Sequence, residues 1–474
     1  MFPLIRLLGY LLVAMITFIG LRLFYYYASY FFAWRRYRQL APVTTANLRA
    51  LRDLPYVKVQ ITTRGAPGTT DVIRRGIQNI VALASEAPEL YCPRLSIEVI
   101  TESREQARLL KDDFALMPVL LEADALVLPP TYRTPRDTGL KARALHYMVE
   151  QRRRGYHHKP GRTFIVHYDE ESVMEPDELR KLVACLATTD KQILEGPIYY
   201  PLEFNDASAI CRAMECNRPI VCYECRHVME DGHPIHIHGS NLVVDEALED
   251  QFGWDFGTLD GQPFVAEDYV FGTLAFLRYG PSIFGWHGCV MLEQPPFSIQ
   301  SAFRQRVRWI QGVLQGLAML KRQPAYHKLP LKERIRLTLP THYRILTFAL
   351  GCPTGALAVP FLLYQTAIVL SGHTFIPLPF PLDAWLVFVG FLWLNSMLIG
   401  VWYNLAQARD LTPLQRLTEG ARAFALTPVA SFVETAAGFW AAVKWATGDR
   451  HVTWQTTPKT IEADRAMNWR AISV

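Results

Sequence analysis

A long polar stretch bracketed by apolar runs constrains this chain more than any motif. The run from Phe2 to about Trp34 is far longer than a signal-peptide core and lacks a small-residue cleavage site. It passes directly into Arg35-Arg36-Tyr37-Arg38, so residues 1–34 are expected to be a retained transmembrane anchor. Two more runs, about Tyr343 to Ser371 and Leu382 to Ala406, each exceed the roughly 20 residues a bilayer crossing needs. Arg35, Arg36 and Arg38 follow the first run, Arg334, Arg336 and Arg344 flank the start of the second, and Arg409, Arg416 and Arg422 follow the third. The loop between the second and third, Gly372 to Asp383, carries no Lys or Arg. The positive-inside rule then predicts a multi-pass integral membrane protein whose middle region faces the cytoplasm. A fourth apolar segment, about Ala425 to Trp445, is interrupted by Pro428 and Glu434. If it spans, the tail ends outside; if it is re-entrant or interfacial, the tail returns to the cytoplasmic face, and the second reading is preferred.

Composition agrees with a mixed protein. Of 474 residues, 50% are hydrophobic and 20% charged, too apolar for an ordinary soluble enzyme and too charged for a pure membrane bundle. The net charge of +5 is mild, basic runs sit beside apolar ones, and no nucleic-acid module is visible, so the expected contact is with lipid headgroups. Five of the eight cysteines fall between Cys185 and Cys225 without a regular framework, so reduced thiols are expected.

Between the anchors the pattern is that of an α/β domain, assigned to residues 44–298. Val57 to Thr63, Arg94 to Thr101, Asp124 to Pro129 and Arg162 to Tyr168 are β-rich runs bounded by turn residues. Between Asp71 and Ser85 the residues Ile73, Ile77, Ile80, Val81 and Ala84 share one helical face. Alternating strands and helices predict a largely parallel sheet with ligands at the carboxyl ends of its strands. From Ser301 to Arg322 an apolar stripe of Phe303, Val307, Ile310, Leu314 and Leu317 opposes Arg304, Arg306, Arg308, Lys321 and Arg322. Residues 299–340 therefore read as interfacial helices, 341–447 as a C-terminal transmembrane region and 448–474 as a cytosolic tail.

Three motifs carry chemistry. HYDEES follows an apolar strand, so Asp169, Glu170 and Glu171 emerge where such a sheet binds ligands, and Asp169 with Glu171 can share a divalent cation, Mg²⁺ or Mn²⁺, with phosphate oxygens. An acidic turn that only solubilises an edge gives the same triplet. AEDY places Glu267 and Asp268 before a helical run, which suits a general base at Asp268 or simply acidic residues near a helix N-terminus. In RQRVRWIQG, Gln305 and Arg308 are three apart and share a side, where a guanidinium can bind phosphate while Trp309 packs beside a sugar or nucleotide. A plain basic interfacial helix is the alternative. Cys216, Cys222, Cys225 and His227, with His233, His236 and His238, can be read as a zinc site, but no second CxxC closes the set. Buried thiols are the simpler account, and His236 and His238 alternate like one face of a strand.

The order strand-DEE, ED, QxxRW and membrane spans resembles the membrane-bound family 2 glycosyltransferases with a GT-A, Rossmann-like fold. More narrowly, VITE, TYRTPRDTGLKARALHY, FIVHYDEESVM, HIHGSNLVV, VAEDYVFGTLAF and PPFSIQSAFRQRVRWIQG resemble blocks of the Egghead-type β-1,4-mannosyltransferases, over about Val57 to Gly316. The resemblance implies nucleotide contacts at Thr63, Arg64 and Gly65 and at Glu102, and donor contacts at Lys141 and Arg143. It implies metal ligation by Asp169 and Glu171, catalysis by Asp268 with Glu267 beside it, and diphosphate contacts at Gln305 and Arg308. His238, Gly239, Ser240 and Trp309 are implied at the acceptor. Glu102 departs from the family's aspartate and His238 from its lysine, which puts base and acceptor preference in question. VTWQTTPKT, Val452 to Thr460, resembles a C-terminal segment that reaches over the nucleotide site in related synthases, which favours the re-entrant reading.

The expectation is thus a metal-dependent, inverting hexosyltransferase that moves mannose from GDP-mannose to a lipid-linked or saccharide acceptor in β-1,4 linkage. A processive polysaccharide synthase using a UDP-sugar is the alternative enzyme. An inactive membrane scaffold is the alternative of another class, and the carboxylates in all three motifs argue against it. The sequence does not determine the oligomeric state.

Overall fold

Strand formation begins where β-branched residues alternate with polar ones. In β1 (Tyr56–Thr63) the residues Val57, Val59 and Ile61 enter one core, while Lys58 and Gln60 face the other side of the sheet, equally buried. The computed structural model describes residues 2–37, 42–216, 218–234, 237–372, 379–451 and 456–472. Arg38, His236, loop residues 373–378 and tail residues 452–455 lie outside them.

The remaining strands of the main sheet are β2 (Leu95–Thr101), β3 (Glu122–Val127), β4 (Thr163–Tyr168), β5 (Ile193–Glu195), β6 (Leu242–Asp245) and β7 (Phe284–Trp286). Their order is β7-β5-β6-β4-β1-β2-β3, parallel throughout except for β6, which runs antiparallel to both neighbours. The mostly parallel sheet and its covering helices are the α/β architecture expected. The expected alternation of His236 and His238 along a strand does not extend to His238, which lies in the turn before β6, because Gly239 and Ser240 break extension.

Eleven helices matter here. They are α1 (Phe2–Tyr37), α2 (Thr69–Glu86), α3 (Leu140–Arg153), α4 (Ala209–Cys216), α5 (Arg218–Glu230), α6 (Glu267–Tyr279), α7 (Ile299–Arg322), α8 (Leu331–Leu370), α9 (Phe380–Ala406), α10 (Pro413–Ala446) and α11 (Ile461–Ile472). On α2, Ile73, Ile77, Ile80 and Ala84 are buried with Val72 and Leu83, as its 3.6-residue periodicity requires. The far face of the sheet is sealed by a polar network. Arg152 on α3 donates to Gln60 at 2.9 Å, Glu249 at 2.6 Å and Asp250 at 2.8 Å, and Trp254 donates its indole N–H to Glu249 at 2.6 Å.

Among the described residues four helices are long and apolar enough to cross a membrane: α1, α8, α9 and α10. Phe388, Phe391 and Trp402 on α9 and Leu346, Val359 and Leu363 on α8 project outward, as a lipid-facing surface would. α1 is tied to the others by Trp385 donating to Thr17 at 2.7 Å and Tyr343 donating to the Phe18 carbonyl at 2.7 Å. α8 is continuous from Leu331, so the boundary expected at 340/341 falls inside a helix. α10 lies along α4, α7 and α8. Its Glu419 meets Arg212 at 3.2 Å, its Glu434 meets Arg218 at 2.7 Å, and Arg450 just beyond its end meets Asp260 at 3.0 Å.

Candidate active site

Parallel strands deliver their carboxyl ends to one edge, and the cavity opens there. Thr63 and Arg64 follow β1, Glu102 follows β2, and Asp169 to Glu171 follow β4. The N-terminus of α6 brings Glu267 and Asp268, the turn before β6 brings His238 to Ser240, and α7 brings Gln305, Arg308 and Trp309. All of these, with Lys141 and Arg143 of α3, line one cavity of about 440 Å³. Gly65 is the one expected contact residue that is not on its wall.

Close packing of α6 on α7 fixes the spacing of the second and third motifs. A Cβ at Gly312 would lie 2.6 Å from that of Ala266, and one at Gly316 would lie 2.3 Å from the Tyr269 ring. The glycine ending RQRVRWIQG therefore lets the Arg308 helix approach the Asp268 helix.

The acidic triplet divides its work. Glu170 accepts from the Arg64 amide at 3.2 Å and braces the loop after β1. Asp169 accepts from Lys141, and Glu171 from Lys459 of the C-terminal tail. Burial would raise Asp169, but Lys141 and then Lys459 hold its carboxyl below the ordinary range. Lys141 also donates to the Gly239 carbonyl at 3.0 Å, and a Cβ on Gly239 would sit 3.2 Å from the Lys141 ammonium and 3.3 Å from an Asp268 oxygen. Only hydrogen fits there comfortably.

Asp268 is the most perturbed carboxyl of the expected set. Burial, and after it the neighbouring Glu267 carboxylate, push it up to about 7, against the pull of the Tyr269 amide, Lys141 and His238. His238 answers the departure noted in the sequence. Its amide donates to Glu195 at 2.6 Å and its ring pairs with the same carboxylate, which against burial holds its pKa well above the ordinary value. At the mouth, Arg143 donates to Glu102 at 2.8 Å, and Arg64 approaches its other oxygen at 3.7 Å.

The residues present fit a divalent cation. Glu171 has one buried oxygen without a hydrogen-bond partner among the described residues. Asp169, Glu170, Glu171, Glu267, Asp268 and Glu293 line the cavity with Lys141, Lys459 and Arg308 among them. Arg308 keeps a buried Nε without a partner among the described residues, a donor suited to phosphate. Trp309 lies under the Arg306 guanidinium at 4.3 Å and that of Arg218 at 5.2 Å.

Sequence reasoning missed Glu293 and Glu195. Glu293 accepts from Ser172 at 3.2 Å and from Ser240; burial, then Glu171 and Asp169, push it up to about 8. Its only signal was a carboxylate between two apolar runs. The Cys/His constellation does not assemble as a set of four ligands: Cys222 donates to the Ile198 carbonyl, His233 pairs with Glu333, and His238 pairs with Glu195 and meets Cys225. Among the described residues no three His, Cys, Asp or Glu form a group able to hold a metal unaided.

A family model described as glycosyl transferase family group 2 matches residues 164–440, more than half of the chain. The β-1,4-mannosyltransferase egh of Drosophila melanogaster is 24% identical over 282 residues, 58% of this chain and 56% of that protein. The β-1,4-mannosyltransferase bre-3 of Caenorhabditis elegans is 26% identical over 197 residues, 40% of each chain. The chain spans about half the length of the curated relatives it matches. Among solved structures, the mannosyltransferase PcManGT from Pyrobaculum calidifontis, in complex with GDP-Man and Mn²⁺, aligns with a TM-score of 0.47 at 16% identity, over 85% of this chain and 99% of that one.

Proposed function

The chain belongs to glycosyl transferase family group 2, and on that footing we propose that it is a membrane-embedded, inverting glycosyltransferase. It transfers mannose from GDP-mannose, in β-1,4 linkage, to a lipid-linked or saccharide acceptor. The donor is supported by the likeness to egh and bre-3, both named β-1,4-mannosyltransferases. The catalytic domain faces the cytoplasm, with α7 and α10 along the membrane surface. For α10 the support is its set of contacts: a helix of 34 residues is about 50 Å long, yet ion pairs along it and just beyond it reach the catalytic domain.

The observation that carries the reading is Asp268, a half-buried carboxyl held near neutrality in a cavity with a phosphate-ready arginine and a metal-ready carboxylate pair. Arg64, Glu102 and Arg143 hold the nucleotide, while Lys141, Gln305 and Arg308 orient the diphosphate. Asp169 and Glu171 would hold Mg²⁺ or Mn²⁺, which when bound neutralises charge on the departing diphosphate. Asp268 takes the proton of the acceptor hydroxyl as its oxygen bonds to the anomeric carbon. The bond from that carbon to the diphosphate breaks on the opposite face, and the configuration inverts. Glu267 keeps Asp268 basic, and His238, Gly239 and Ser240 shape the acceptor side.

Asp268→Asn is expected to abolish transfer in purified membranes while GDP still raises the thermal-unfolding midpoint in the presence of Mn²⁺. Near-normal turnover by the variant would end the base assignment. A panel of GDP, UDP and CDP in the same thermal assay identifies the donor base, with GDP expected to stabilise most.

A further inference from the structure

Beside Trp309, which Arg306 and Arg218 flank, part of the cavity wall is apolar: Val221 of α5, Val313 of α7, and Ile345 and Phe348 of α8, a helix able to span the membrane. One charged group on this wall is unusual. Arg344 of α8 lines the cavity, and its Nη1 is buried without a hydrogen-bond partner among the described residues. The nearest carboxylate, Glu224, is 3.9 Å away and already engaged. Arg22 of α1 donates to both its oxygens, at 2.6 and 3.3 Å, and its guanidinium also reaches Thr347 and lies over the Tyr26 and Phe348 rings. Two guanidiniums thus share one carboxylate, and Arg344 stands on the cavity wall.

We propose that Arg344 seats the phosphate of a lipid-phosphate-linked sugar acceptor, whose sugar hydroxyl faces Asp268 and whose lipid lies along the apolar wall that Ile345 and Phe348 of α8 contribute. This rests on the transferase reading and narrows its acceptor class. A neutral lipid would leave the buried donor unsatisfied, whereas a planar guanidinium matches phosphate oxygens. An apolar wall built partly by a spanning helix suits a lipid chain and offers nothing to a soluble sugar phosphate.

The test is equilibrium binding of radiolabelled farnesyl phosphate to the full-length protein in detergent, with farnesol as the uncharged control. Because no turnover is involved, failure of the donor assignment in a GDP and UDP panel leaves this result standing. Farnesyl phosphate is expected to bind more tightly than farnesol. Arg344→Gln should weaken farnesyl phosphate roughly ten- to hundredfold and farnesol hardly at all. Arg344→Lys, which keeps the charge and the long stem, should recover part of the loss and serves where the glutamine variant does not fold. Equal binding of the two wild-type ligands, or equal losses for both in the variants, overturns the proposal. Competition by inorganic phosphate at the same concentrations overturns it in favour of a soluble phosphate. Displacement by phosphatidylglycerol at the same concentrations overturns it in favour of a structural phospholipid.

Discussion

In the proposed mechanism Asp268 works only as a carboxylate, and its environment decides when that form exists. Burial and Glu267 raise its pKa to about 7, so the carboxylate is lost as pH falls through neutrality. The pH profile of kcat/KM is expected to show an acidic limb near 7. Glu267→Gln removes the like charge and should move that limb to lower pH by about one unit, the scale of a single neighbouring charge. An unmoved limb would mean that another group controls it. Gly239 offers a second test, since a methyl there meets the Lys141 ammonium and Asp268. Gly239→Ala should cut kcat/KM by about tenfold or more while thermal stability changes little, because the clash is local and polar.

At the scale of elements, two packings hold the chemistry in place. The α6–α7 contact depends on Gly312, where Gly312→Val drives branched methyls into Ala266. Overpacking of this kind typically costs about 1–3 kcal/mol, and here it also parts Arg308 from Asp268, so activity should fall further than the unfolding midpoint suggests. Behind the sheet, Arg152 compensates the buried Glu249, whose pKa is held down to about 2 by Arg152 and then His167 in spite of burial. Arg152→Ala is expected to destabilise the domain by about 3–5 kcal/mol, the cost of stranding a buried charge, read as a large drop in the unfolding midpoint of the detergent-solubilised protein. A drop no larger than for a surface arginine would contradict that account.

At the scale of the whole molecule, the C-terminal tail closes the cavity begun by the first strand. Lys459 reaches Glu171, 288 residues earlier, and Gln294 donates to the Lys459 carbonyl at 2.9 Å. Removing residues 449–474 should raise KM for the donor several-fold and leave the membrane helices in place, measured by initial rates and by extraction behaviour. An unchanged KM would reduce the tail to a bystander. The sequence by itself determined the apolar helices, the parallel strands of the α/β domain and the three motifs, because each is written in local periodicity and in residues adjacent along the chain. Asp169, Asp268 and Arg308 were legible because they sit at predictable places, after a strand or on one side of a helix. Tertiary structure alone decided that Glu293 and Glu195 join them, that Lys459 neutralises Glu171, that α10 lies along the domain and that Arg344 shares a carboxylate with Arg22. Those outcomes depend on which distant charges burial forces together, and a buried charge takes its partner from space and not from sequence.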